Sequence, residues 1–157
     1  MADDNRIVQI SLDEKTVVRR SPQVEHERKV AIFDLLEDNR FALVGVSYGP
    51  YSLHLGIQDN RLVFDVRAAD ESKLTQIKLP ISLFRRIVRD YFVICDSYFE
   101  AIKTKAPSQI EAIDMARRGL HNEGAEILRE RLSDSVEIDQ QTARRLFTLV
   151  CVLHIRA

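Results

Sequence analysis

Arg117, Arg118 and His121 are the side chains in this sequence whose types and spacing best suit chemistry. They stand in the string Arg117-Arg118-Gly119-Leu120-His121-Asn122-Glu123-Gly124. On a helix advancing about 100° per residue, both arginines lie one turn below the histidine on its own side. Two guanidinium groups beside an imidazole make a pocket for phosphate or carboxylate and disfavour protonation of the ring. His121 would serve such a ligand as acid–base. Glu123 projects from the opposite face, so it reaches His121 only if the chain breaks between Gly119 and Gly124. There is also a plainer reading. His121 then sits half-buried at the edge of an apolar stripe, and Asp114 pairs with Arg118 at i,i+4. The His-x-Glu string lacks the Pro-Cys-x-x-Cys that a zinc deaminase requires.

The placement of arginine is the second chemical signal. Arg85 and Arg86 fall in the first turn of an expected helix, and Arg144 and Arg145 fall early in the last one. The positive end of the helix dipole opposes both pairs. Such positions invite an anion, a partner's carboxylate, or Asp and Glu from elsewhere in this acid-rich chain. His26, between Glu25 and Glu27, reads as part of a charged solvent face, because adjacent helical side chains diverge too much to share a metal. His54 lies on a strand, alone and facing water. No phosphate loop, nucleophile elbow or metal-spaced ligand set is present, so neither cofactor nor metal is expected.

The elements that must position these groups follow from periodicity. Val8, Ile10 and Leu12 alternate with polar residues as a first strand, and Ser21-Pro22 opens a helix reaching about Asp38. Its expected apolar face is Val24, Ala31, Phe33, Leu35 and Leu36. Phe41 to Val46, Tyr51 to Ile57, Leu62 to Val66 and Thr75 to Leu79 then read as closely linked strands. Turns fall at Gly49-Pro50 and Asp59-Asn60, and the set makes an antiparallel meander with one wet face. From Ser82 the period is helical, with a stripe running from Phe84 to Ile102. Ala106-Pro107 stops that helix, and Ser108 with Glu111 forms a capping box for the next. Ser133 to Ile138 is a connector, and Asp139 caps a last helix reaching His154. That helix is apolar nearly all round apart from Gln141, Arg145 and Thr148, so it is buried in this chain or against a second copy. The reading is one α+β domain over residues 1–157: an antiparallel sheet of four to five strands with one early helix, then three C-terminal helices packed on it.

Composition narrows the function classes. The 157 residues are 45% hydrophobic and 30% charged, which is globular. The 24 acids and 23 bases nearly cancel, so nucleic acid ranks last among partners. No run spans a bilayer and the N-terminus is no signal peptide, so a cytoplasmic protein without a membrane partner is expected. Cys95 and Cys151 lie in apolar helical runs and are read as reduced and buried.

The strings Val24-Glu25-His26-Glu27-Arg28, Gly49-Pro50-Tyr51, Phe84-Arg85-Arg86-Ile87-Val88 and Asp90-Tyr91-Phe92 also form a pattern. It continues through Ile110 to Met115, Arg117-Arg118-Gly119, His121 to Gly124, Thr142 to Leu149 and Cys151 to His154. From about residue 22 onward the chain resembles an uncharacterised bacterial protein family of about this length, of unknown function. The resemblance implies a bacterial, cytoplasmic setting and no particular activity, cofactor or catalytic residue.

Two functional expectations follow. One is a non-catalytic binding or regulatory protein acting through a homo-oligomer or a protein partner. The alternative is a domain or small enzyme that takes a small anionic ligand at Arg117, Arg118 and His121.

Overall fold

A computed structural model gives the protein's structure and describes residues 4–13, 22–45 and 49–153. Its strands are β1 (Ile7–Leu12), β2 (Phe41–Leu43), β3 (Tyr51–Gln58), β4 (Arg61–Ala68), β5 (Lys73–Pro80) and β6 (Val136–Ile138). Its helices are α1 (Pro22–Glu37), α2 (Arg85–Thr104), α3 (Pro107–Leu132) and α4 (Gln140–Leu153). The α+β order read from the sequence is the one observed.

The meander is β3-β4-β5, antiparallel throughout. Asp59 and Asn60 both take positive φ, 53° and 61°, the geometry whose twist matches a two-residue hairpin. Leu53, Leu55, Leu62, Phe64, Val66, Ile77 and Leu79 are buried and join one core with residues of all four helices. The sheet is mixed rather than purely antiparallel, because β1 pairs parallel to β3. A parallel neighbour needs a long crossover, and the segment carrying α1 supplies it. Strand alternation does not report direction, so the sequence did not reveal this. β2 does not join the meander. It turns away at Gly45 (φ 77°) and pairs antiparallel with β6, inside the stretch expected to be a connector. Three residues are too few for a period to show.

Pro22 opens α1, while its expected N-cap Ser21 lies outside the described residues. Ala31 and Leu35 are its buried residues, but Phe33 is 64% exposed. Two steps of about 100° place Phe33 on the far side of both. The break at Ala106-Pro107 is as expected, but the cap differs. The helix starts at Pro107, which makes Gln109 the third residue, and its Oε1 accepts from Ala106 N at 3.3 Å. The Ser108–Glu111 box is therefore out of register. Gly119 and Gly124 do not interrupt α3. Asp139 caps α4 as read, its Oδ1 accepting from Thr142 N at 2.9 Å. α4 is enclosed by its own chain: Leu146, Phe147, Leu149 and Val150 are fully buried. Among the described residues no helix is long and apolar enough to cross a membrane.

Cys95 and Cys151 are buried free thiols. Burial pushes the Cys95 thiol up to about 11 and Cys151 well above its ordinary value. The thiolate is the reactive form, so both should be inert at neutral pH. Ellman's reagent is expected to leave the native protein unmodified and to titrate two thiols in guanidinium. Rapid native reaction would contradict this burial.

Candidate functional site

The polar row that interrupts α4 builds a cleft. Gln141, Arg144, Arg145 and Thr148 recur at helical spacing and face α1, which contributes His26, Glu27, Val30, Ala31 and Asp34. Tyr91 of α2 and His121 of α3 complete a cavity of about 390 Å³. Because α4 is mostly apolar elsewhere, the core fixes its rotation and aims this row outward into the cleft.

His121 is held from three directions. Its ring centroid lies 5.4 Å from Tyr91 and 5.4 Å from Phe147. Its Nε2 lies 2.8 Å from Thr148 Oγ1. The Thr148 hydroxyl spends its one proton on Arg144 O at 3.3 Å. With that proton on the carbonyl, the hydroxyl accepts from His121 Nε2–H, and Nδ1 is then a bare lone pair. Nδ1 is buried and has no partner. Burial first, then the charges of Arg144 and Arg117, pull His121 down to about 4. The ring is thus neutral at physiological pH. Glu27 moves the other way: burial raises its carboxyl, against the opposing pull of Arg117 and His26. Arg144 has no carboxylate within ion-pair distance among the described residues. One neutral acceptor, one unpaired cation and one carboxyl biased toward its acid form therefore share a cleft.

The expected trio does not stay together. Arg117 and Arg118 both bind Asp114, at 2.6 Å and 2.8 Å. Those bonds, from Arg117 first, hold the Asp114 carboxyl below its usual range. Arg117 also lies 4.6 Å over the Tyr98 ring and touches the cleft only through its field. Arg118 is two-thirds exposed and outside it. Of the three, only His121 lines the cavity.

The secondary candidates separate as well. Arg86 binds Glu123 at 2.9 Å and Asp90 at 3.2 Å, so carboxylates of the same chain answer its unfavourable position on α2. Arg85 is exposed. Glu123 faces α2, away from His121, as a continuous helix requires. Arg145 lines the cleft but donates to Asp38 O at 2.9 Å, which satisfies a carbonyl just past the end of α1.

Sequence reasoning placed Glu27 on a solvent face and missed its part in the site. The signal was present: Glu27 precedes the buried Ala31 by four residues and so shares its face. His54 is not alone either. Ser11, Ser52 and Glu71 surround it, because the pairing of β1 with β3 brings residues far apart in sequence to one face.

The comparisons with known proteins agree with the resemblance seen in the sequence. The UPF0262 protein of Paramagnetospirillum magneticum is 59% identical over 156 residues, covering 99% of each chain. That of Rhodospirillum rubrum is 56% identical over 99% of this chain and 96% of its own. That of Azorhizobium caulinodans is 57% identical over 96% and 94% respectively. No solved structure matches. The pattern of the Uncharacterised protein family (UPF0262) matches residues 4–156, and the chain belongs to that family.

Proposed function

We infer that this protein binds a small anion carrying a hydroxyl or protonated acid group in the cleft between α1, α3 and α4. Hydroxy-carboxylates and phosphate monoesters have that chemistry. The observation that supports this best is the buried, unpartnered Nδ1 of His121 beside an unpaired Arg144. An orphaned buried acceptor costs about 1–3 kcal/mol, and a ligand hydroxyl would recover that. Arg144 supplies the opposite charge for the anion. A histidine near 4 is a weak base at neutral pH, which favours recognition over proton transfer. The protein then works as a cytoplasmic binding or regulatory domain, and its two buried free thiols suit a reducing compartment. Enclosure of α4 within one chain favours ligand binding over self-association through that helix.

Thermal unfolding against a panel of hydroxy-carboxylates and phosphate monoesters tests the reading. A ligand at a hundred times its Kd adds about 2.7 kcal/mol. For a chain of this size that raises Tm by roughly 5–10 °C. Arg144→Ala should abolish the shift, and Arg118→Ala, lying outside the cleft, should keep it. A full shift in Arg144→Ala, or none with any member of the panel, would refute the reading.

A further inference from the structure

A second site lies on the sheet, away from the helical cleft and independent of the reading given for it. Register builds it. Ser11 pairs with His54, His54 with Asp65, and Asp65 with Gln76, so these four side chains form one row across β1, β3, β4 and β5. They line a cavity of about 460 Å³ with Asp13, Gly56 and Arg67. The turn after β4 then adds an acid. Glu71 has φ 72°, a left-handed conformation that folds it back under the strand end. Its Oε1 lies 2.7 Å from His54 Nε2, and Ser11 Oγ lies 2.5 Å from His54 Nδ1.

Hydrogen bonding decides where the protons are. Glu71 accepts from Ser52 and His54 and pairs with Arg67 at 3.3 Å, and these contacts, Ser52 first, hold its carboxyl below the usual range. An ionised carboxylate only accepts, so His54 must carry its proton on Nε2. In the neutral ring Nδ1 is then the lone pair, and the Ser11 hydroxyl donates to it. Arg67 donates to Asp65 through Nε at 3.1 Å and Nη2 at 2.8 Å, which braces the acid from the other side. A hydroxyl bonded to a base, and that base oriented by a third group, is the arrangement of an activated nucleophile. Ser11 is exposed on an edge strand and therefore reachable.

We propose that Ser11, His54 and Glu71 form a nucleophilic triad that hydrolyses small acyl esters. Ser11 Oγ bonds to the acyl carbon while its proton passes to His54 Nδ1. The carbon–oxygen bond to the leaving group then breaks, and the leaving oxygen takes that proton as an alcohol. Water repeats the sequence on the acyl-serine, giving up a proton to Nδ1. The carboxylic acid departs when Ser11 Oγ takes that proton back.

The test uses a fluorophosphonate, which phosphonylates an activated serine with loss of fluoride, and p-nitrophenyl acetate hydrolysis. Peptide mass spectrometry should find the label on Ser11 and not on Ser97 or Ser108. Ser11→Ala and His54→Ala should each lower hydrolysis at least tenfold, Glu71→Gln should lower it severalfold, and Ser108→Ala should leave it unchanged. Ser11→Ala removes only an exposed hydroxyl, so its circular-dichroism melt should match the wild type and separate lost chemistry from lost fold. A label absent from Ser11, or hydrolysis equal in wild type and Ser11→Ala, overturns the triad.

Discussion

Gly124→Ala is expected to destabilise the protein by about 1–3 kcal/mol, although the same change in an open helix stabilises by about 1 kcal/mol. A Cβ at position 124 would overlap the Phe147 ring of α4. That ring is fully buried and packs on Tyr91 at 6.1 Å and on His121 at 5.4 Å, so it has nowhere to swing. Phe147→Ala should cost about 3–5 kcal/mol, through lost burial and the cavity left behind. The pair also makes a coupling test. In Gly124→Ala/Phe147→Leu the new methyl enters space that the smaller side chain vacates. The double variant should therefore be less destabilised than the sum of its singles by about 1 kcal/mol or more. Urea unfolding of the wild type, Gly124→Ala, Phe147→Leu and the double variant measures the coupling, and simple additivity would mean that the two residues are not in contact. The functional consequence lies in Phe147 itself, whose ring packs against that of His121 from behind the cleft lining.

Acid should weaken the fold specifically through His121. Unfolded, the ring takes a proton near its ordinary 6.5; folded, burial and Arg144 hold it off until about 4. Above 6.5 the ring is neutral in both states and its contribution is constant. As pH falls from 6.5 to 4 only the unfolded chain gains the proton, so stability drops through that window and levels off below it. The gap corresponds to roughly 3 kcal/mol. Glu27 opposes the trend, since its raised carboxyl takes a proton in the folded state first. Comparison with His121→Gln cancels Glu27 and every other shared group. Between pH 7 and 4 the wild type should lose about 2–3 kcal/mol more than this variant in urea midpoints. A difference that stays flat with pH would show that His121 is protonated without penalty, and the neutral-acceptor role would fall with it.

Much of the architecture was legible because periodicity is a local property. Period two marked β3, β4 and β5, helical period marked α2, and Ala106-Pro107 and Asp139 marked helix boundaries through their own backbone chemistry. The row Gln141, Arg145 and Thr148 was visible as the break in an apolar helix, whereas the place of Arg144 in it was not. The partner of that row was harder to see. Glu27 lies in a charged string where His26 and Lys29 mask it, and only its spacing from Ala31 betrays the face it shares. For the Arg117–Arg118–His121 string the plainer of the two readings, with Asp114 and Arg118 paired at i,i+4, is the one observed. Helical angle showed that the three could converge, but Asp114, three and four residues before the arginines, claimed both of them first.

Residue order alone indicated the α+β class, the boundaries of most elements except β6 to within a few positions, the two buried thiols and the opposition of His121 and Glu123 on α3. Tertiary structure alone decided the direction of β1, the pairing of β2 with β6, the closure of α1 over α4 and the meeting of Ser11, His54 and Glu71. The reason is physical. Backbone preference and amphipathic spacing are fixed by neighbours a few residues away. Strand direction, cleft walls and cross-strand rows depend on which distant surfaces bury each other, and no local repeat encodes that choice.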